Sequence, residues 1–305
     1  MIKNLKGSII LLITALIWGT SFVAQSEGMK HIQPFTYNAI RTLIGGIVLV
    51  PVILIFKTIA KRSPDYQRVN VKITLIGGIF CGIALFIASS FQQVGIVYTT
   101  AGKSGFITAL YVIIVPLIEL LLGRKQGRKI WLCVIMAIAG FYLLCINGDF
   151  SINFGDALTL ACAVFFAVHI IVIDRFLERG ADGMVMACVQ FFAAGLIMTV
   201  CMLLFETPRL NKIYIAGFSI LYAGVMSSSV AYTMQIIGQR YTAPTIATLI
   251  MSLESVFAVL SGWLILGEQL SLKELSGCCL VFAAVIISQV SLPERKNKSI
   301  IKKEE

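Results

Sequence analysis

Apolar residues in this chain run in long stretches separated by short hydrophilic breaks. A stretch of about 18 or more reads as a membrane-spanning helix, because in lipid a helix satisfies its backbone polar groups internally. The pattern predicts ten spans: 8–26, 34–57, 71–97, 101–122, 129–147, 154–176, 182–205, 211–238, 243–266 and 271–291. Lys3 and Lys6 precede the run Ser8 to Ala24, as in a signal peptide, but cleavage after Ala24 would put Phe22 where a small residue is required. The run is therefore read as a retained first helix. The longest break, Lys57 to Val71, carries Lys61, Arg62, Asp65 and Arg68. After Ser291 comes a basic tail with Lys296, Lys298, Lys302 and Lys303, too poor in apolar residues to pack and predicted to be disordered.

The second half of the chain restates the first. Gln235 to Thr242 reads Q-I-I-G-Q-R-Y-T and Gln92 to Thr99 reads Q-Q-V-G-I-V-Y-T, with Gln, Gly, Tyr and Thr in register. Gly7 to Phe22, including Trp18, lines up with Gly155 to Ile170, and Arg41 falls opposite Gln190. Gly123 after the fourth span matches Gly267 after the ninth. The predicted organisation is a five-helix repeat over 1–147, a second over 148–291 and a disordered basic cytoplasmic tail over 292–305. Five is odd, so the two copies would enter the membrane in opposite senses. Inverted repeats of this kind place a substrate site between the halves near the midplane.

Composition agrees with the span pattern: 58% of residues are hydrophobic, 13% are charged, and mean hydropathy is +0.91. The fold class is an all-α integral membrane protein, ten transmembrane helices as two inverted five-helix repeats. The net charge of +10 would suggest nucleic acid in a soluble protein, but here its distribution excludes that partner. With the amino terminus inside, 19 of the 25 Lys and Arg fall on cytoplasmic pieces and 5 on outer loops. That bias predicts a multi-pass protein of the cytoplasmic (inner) membrane with both termini cytoplasmic. The eight Cys lie inside apolar runs without zinc or redox spacing and read as reduced core residues. No cofactor or metal is implied.

Four motifs carry a resemblance to a known family. They are W-G-T-S-F at Trp18 to Phe22, Arg41 early in the second span, G-F-I-T-A-L-Y-V-I-I-V-P at Gly105 to Pro116, and S-L-E-S-V-F-A ending in L-G-E at Ser252 to Glu268. In order and spacing the chain resembles the EamA-like family of the drug/metabolite transporter superfamily over nearly its whole length. The resemblance implies a ten-helix, inverted-repeat carrier that moves small metabolites by alternating access, more typically outward. The family pattern places Pro after the ninth-span Glu where this chain has Ser255, which leaves a helix kink there undecided.

Polar side chains inside spans are the candidate chemistry, because a charge at helix centre costs roughly 2.5–3.5 kcal/mol on insertion scales. Glu254 lies deep in the ninth span, as a proton-coupling or substrate-amine site or as a helix-bridging carboxylate. Arg41 could bind a substrate carboxylate, pair with Glu254, or snorkel to the outer interface. Glu119, beside Arg124 and Lys125, reads as a structural ion pair. Three stripes at helical spacing stand out: Ser228, Tyr232, Gln235; Ser104, Thr108, Tyr111; and Trp18, Ser21, Gln25. Ser and Thr are read as helix-packing residues, whereas Trp18, Gln92, Tyr111, Tyr232 and Gln235 are assigned to a cavity. His169 could relay a proton, touch substrate or sit satisfied in the core. The expected substrate-binding set is Trp18, Arg41, Gln92, Tyr111, His169, Tyr232, Gln235 and Glu254. Expected partners are a small-molecule substrate (amino acids or related amphipathic compounds), the lipid bilayer and a coupling proton, with the chain as monomer or homodimer.

Two other classes compete. Gly102-Lys103-Ser104-Gly105 fits the G-x-S-G pattern of rhomboid-like intramembrane serine proteases, with Ser104 as nucleophile and His169 as base. Against it stand the missing Gly three residues after His169, the span count, and the motif's place inside the repeated module. Gly102-Lys103-Ser104 also imitates a phosphate loop, but Val97 occupies the position of its first Gly. A signalling or scaffold protein would show a bundle without a polar cavity, and the loops here are too short for an ectodomain.

Overall fold

In the computed structural model, residues 2–60, 70–99, 101–145, 153–266 and 271–289 are described, and all secondary structure among them is helical. Most of the predicted loop 57–71, the tail 292–305, Gly267 and Glu268 lie outside the described residues. The helices are α1 (Ile2–Met29), α2 (Pro34–Ala60), α3 (Val71–Tyr98), α4 (Ala101–Thr108), α5 (Tyr111–Leu121), α6 (Arg128–Cys145), α7 (Phe154–Glu178) and α8 (Gly183–Phe205). The second half continues with α9 (Leu210–Ile215), α10 (Gly217–Tyr222), a π-helical segment (Ala223–Ala231), α11 (Tyr232–Gln239), α12 (Pro244–Met251), α13 (Leu253–Leu266) and α14 (Leu272–Gln289).

Among the described residues, eight stretches are long and apolar enough to cross a membrane: Leu5–Met29, Pro34–Ile55, Val71–Tyr98, Lys103–Leu121, Phe154–Glu178, Gly183–Phe205, Gly217–Gln239 and Pro244–Ile265. The expected spans 129–147 and 271–291 coincide with α6 and α14, each 18 residues long and packed on one another. Three expected spans are not single helices. The fourth is broken between α4 and α5, the ninth between α12 and α13, and the eighth is pieced together from α9, α10, the π segment and α11.

Short polar signals start the helices. Asn70 accepts the Ile73 amide at 3.1 Å, Asn153 and Asp156 form a reciprocal capping box, and the Asp182 carboxylate accepts the amides of Met184 and Val185. The amino terminus of α2 has no such residue of its own. The Glu206 carboxylate, just past α8, accepts the Phe35 and Thr36 amides at 2.7 and 2.6 Å and the Thr36 hydroxyl at 2.7 Å.

These contacts define two ends of the bundle. The Glu206 end also carries the Lys103–Asp156 ion pair at 2.6 Å. The opposite end carries Arg124, whose guanidinium meets Asp174 and Glu178. There Lys6 also lies over the Tyr241 ring, and the Asp182 amide bonds the Thr74 hydroxyl. Between the ends, α3 packs along α7 and α8, α2 along α8 and the π segment, and α1 along α13. Large apolar side chains such as Leu54, Leu121, Leu204, Phe205 and Leu264 are exposed on the outside. An apolar exterior of this kind is suited to acyl chains.

Close contact of α1 with α13 depends on Gly19. A Cβ there would stand 2.8 Å from both the Glu254 carbonyl oxygen and the Ala258 nitrogen, and 2.4 Å from the Phe257 Cβ. Gly19→Ala is expected to destabilise the protein by about 1–3 kcal/mol, the usual cost of overpacking. The check is a thermal unfolding midpoint in detergent, which should fall; a midpoint equal to that of the parent would contradict the close approach.

Candidate functional site

One cleft inside the bundle draws on the middles of several spans at once. Trp18 of α1, Tyr111 at the start of α5, Phe166 of α7, Ser227 of the π segment and Glu254 of α13 each lie near the middle of their span and line it. Phe22, Gln25, Arg41, Gln92 and Thr108 extend the lining towards the Glu206 end. Ile170, Tyr232, Gln235 and Met251 complete it. The atom-free space of this narrow cleft, its mouth included, is about 440 Å³. Its wall mixes aromatic and polar side chains. The Tyr232 ring is packed edge-on by Trp18 (centroids 4.8 Å apart), Phe191 (5.7 Å) and His169 (6.0 Å).

Two buried ionisable side chains, Arg41 and Glu254, line this cleft without forming an ion pair with each other. Arg41 is 4% exposed; its Nε donates to Asn38 Oδ1 at 2.8 Å, and its guanidinium lies 5.7 Å from the Tyr37 ring centroid. Asn38 is held in turn by donating to the Ser89 carbonyl of α3 at 2.9 Å. No carboxylate lies within ion-pair distance of Arg41 among the described residues. Glu254, also 4% exposed, accepts one hydrogen bond, from the Tyr111 hydroxyl at 2.9 Å. Gln92 donates to Thr108 Oγ1 at 3.2 Å, whereas Gln235 Oε1 and Trp18 Nε1 have no partner among the described residues. Unpartnered polar atoms of this kind are sites for water or ligand.

The helix breaks aim these groups. Around Ala109 and Leu110 the ladder tightens to i→i−3 bonds, with Leu110 N to Ile107 O and Val112 N to Ala109 O. Pro116 further removes the amide that would bond Val112. In the other half, Thr248 Oγ1 bonds the Thr245 carbonyl and Ser252 Oγ the Leu249 carbonyl, and this back-bonding bends the helix at Ser252. The helix is therefore interrupted at Ser252, just before Ser255, and the Ser255 hydroxyl bridges to the Gly105 carbonyl of α4 at 2.9 Å. Tyr111 and Glu254 each stand at the restart of a broken helix. They are separated by 143 residues, the same displacement as Gln92 and Gln235.

Seven of the eight expected substrate-binding residues line this cleft; His169 does not. It is fully buried behind Tyr232 with Nε2 on Gln190 Oε1 at 3.0 Å, because its face of α7 turns towards α8. The Ser104–His169 pair of the protease reading is not formed, since Ser104 Oγ has no hydrogen-bond partner among the described residues and His169 Nε2 is engaged elsewhere. Snorkelling of Arg41 is overturned by its burial and its bond to Asn38. Within the Ser228–Tyr232–Gln235 stripe, Tyr232 and Gln235 line the cleft and Ser228 packs against α2, as expected, whereas Thr108, read as a packing residue, lines the cleft. The π segment carries an i→i−5 bond from Tyr232 N to Ser227 O, so Ser227 faces the cleft, while a Cβ on Gly45 of α2 would stand 2.7 Å from that of Ser228. Glu119 is ion-paired with Arg124 as expected, at 3.4 Å. Phe166, Ile170 and Met251 escape a search for polar stripes, although the repeat alignment puts them opposite Trp18, Phe22 and Thr108.

Comparison with known proteins agrees with this architecture. The model of the EamA-like transporter family matches residues 5–146 and again 153–289. An uncharacterized transporter of Archaeoglobus fulgidus is 31% identical over 287 residues, covering 94% of this chain and 86% of its own. Protein PecM of Dickeya dadantii is 28% identical over 92% of both chains, and the uncharacterized inner membrane transporter YedA of Escherichia coli is 26% identical over 90% of this chain and 87% of its own. A crystal structure at 20% identity superposes with a TM-score of 0.73 over 93% of this chain and 96% of the other, a likeness of fold. With its multiple apolar helices, this multi-pass membrane protein belongs to the EamA-like transporter family.

Proposed function

We propose that the chain is a secondary carrier that exports small amphipathic metabolites, amino acids or related compounds, by alternating access. The observation that carries this reading is the cleft lined by two buried ionisable side chains of opposite type, Arg41 and Glu254. Each lone charge at the centre of a span costs roughly 2.5–3.5 kcal/mol on insertion scales, so retaining Arg41 and Glu254 without a mutual ion pair favours a ligand or proton as the missing partner. In this reading the Arg41 guanidinium takes an anionic group of the substrate. Glu254 holds the coupling proton or an amine, Tyr111 steadies that carboxylate, and Gln92 and Gln235 supply amides from the two repeats. Trp18 and Tyr232 form the apolar side of the site, and His169 acts through Tyr232 from behind.

The same reading takes α6 and α14 as two further spans, making ten helices in two inverted five-helix repeats, 1–147 and 148–291. Three observations support it. One family model matches twice, the helix breaks fall at Ala109–Leu110 and Ser252 in the two halves, and the mutually packed pairs α2–α8 and α6–α14 each join repeat counterparts. The Arg124 end is assigned to the cytoplasm with both termini, since Lys6, Lys125, Arg128, Lys129, Arg179 and Arg240 gather there.

Flux of a labelled amino-acid panel into proteoliposomes under a pH gradient tests this reading. Losing a hydrogen bond to a charged group changes affinity by roughly tenfold or more, so Arg41→Gln should raise KM by that factor. Glu254→Gln should abolish the response to the pH gradient, and Gln235→Ala should raise KM; transport unchanged in both Glu254→Gln and Gln235→Ala removes those two assignments. Because the Ser104–His169 pair is not formed, a fluorophosphonate probe should leave Ser104 unlabelled under conditions that label a serine hydrolase. Covalent capture at Ser104 would revive the protease reading.

A further inference from the structure

We infer that Arg124 and Glu119 form a latch that holds the cleft shut at the Arg124 end, and that the repeat does not rebuild this latch at the Glu206 end. The inference rests on the carrier reading.

The latch begins with the left-handed Gly123, at φ +82°, which ends α5. That conformation turns the chain back so that the Arg124 amide bonds the Glu119 carbonyl at 2.8 Å, and the side chain follows over the end of the helix. Arg124 Nη1 then lies 2.7 Å from Asp174 Oδ2 and 3.4 Å from Glu119 Oε1, and Nη2 donates to Glu178 Oε1 at 2.6 Å. On its other oxygen, Glu119 accepts from Gln126 Nε2 at 2.9 Å and from the Thr245 hydroxyl of α12. One guanidinium and one buried carboxylate thus join α5, the turn after it, α7 and α12. Charge-assisted bonds of this type are stronger than neutral ones.

The distance to the cleft is short. On α5 the side chains of Tyr111, Val115 and Glu119 follow one another at four-residue spacing, and on α12 those of Met251, Thr248 and Thr245 follow at three. Tyr111 and Met251 line the cleft, Glu119 and Thr245 belong to the latch, and Val115 and Thr248 between them are fully buried. A single layer of buried side chains therefore separates the site from the latch, across a rise of about 12 Å on α5 and about 9 Å on α12.

At the Glu206 end the Lys103–Asp156 pair ties α4 to α7, but the repeat does not rebuild the Arg124–Glu119 set there. Thr245 and Glu119 have counterparts 143 residues away in Gly102 and Gly262, and Arg124 has Glu268 by the match of Gly123 to Gly267. Asp174 and Glu178 have Ser26 and Lys30. Glycines at the places of the central carboxylate and its hydroxyl donor cannot make these bonds. The cleft lining reaches towards that same Glu206 end through Gln25, Arg41 and Gln92. Arg124 and Glu119 are thus positioning residues that bias the resting carrier towards closure on the Arg124 side.

The test is labelling of the full-length protein in nanodiscs by a membrane-impermeant maleimide, with Thr248→Cys as reporter. Labelling of the native Cys201 and Cys279 is subtracted using the chain that keeps Thr248. Arg124→Gln should speed reporter labelling by about tenfold, the change expected when a hydrogen bond to a charged group is lost from a closing equilibrium. Arg124→Lys should restore most of the protection. Thr245→Val removes the α12 bond without altering charge and should also speed labelling, which guards against misfolding of the Arg124 variants. Unchanged labelling in both Arg124→Gln and Thr245→Val overturns the latch. If labelling responds while the protein moves no solute under a gradient, the latch stands and the carrier reading falls; if solute moves and labelling does not respond, the latch alone falls.

Discussion

A polar group taken into lipid must find a partner inside the protein, because no water is there to supply one. This single constraint organises the bundle. It drives the backbone into helices throughout the described residues. It sends Glu206 to the open amino terminus of α2, which lacks a capping side chain of its own. It also makes every interior polar atom without a partner informative, and several of these lie on one cleft: the Gln235 carbonyl, the Trp18 indole N–H and the Gln25 carbonyl.

Around that cleft the protein gives up regular helix. Tyr111, Glu254 and Ser227 sit at two breaks and one π segment, the features that free backbone groups and re-aim side chains. Each irregularity has a local cause: Pro116 and i→i−3 bonding in α5, hydroxyl back-bonding at Thr248 and Ser252, and tight packing of Ser228 against Gly45 beside the π segment. Broken helices at span middles put helix ends where a charged ligand would sit. The ion pairs proper, by contrast, lie towards the ends, at Lys103–Asp156 and around Arg124, where they tie α7 to the broken helix formed by α4 and α5. The arrangement combines an irregular middle with pinned ends.

Much of this is legible in the linear chain. Span positions follow from apolar length alone, since about 20 residues at 1.5 Å match the hydrocarbon thickness, and the described helices fall on them within a few residues. The cost of burying a charge is enough to single out Arg41 and Glu254 within their apolar runs, and the Gln92–Gln235 repeat points to two amides on the same cleft. Asn70, Asn153 and Asp182 announce helix starts because a cap is a contact within three residues.

Tertiary structure decided the rest, because those contacts join residues far apart in sequence. Ser227 belonged to no stripe at helical spacing, yet in the π segment, with its i→i−5 bond from Tyr232 N to Ser227 O, it lines the cleft while Ser228 packs against α2. His169 carries the same chemistry wherever its face points, and only the approach of α8 turned it to Gln190 rather than to the cleft. Arg41 had three roles compatible with its sequence position, and its burial and its bond to Asn38, itself held by α3, removed snorkelling from them. What the sequence determined by itself was the set of groups that could not face lipid. Which of them meet water, and which meet each other, depended on helix rotation and register, which no local pattern encodes.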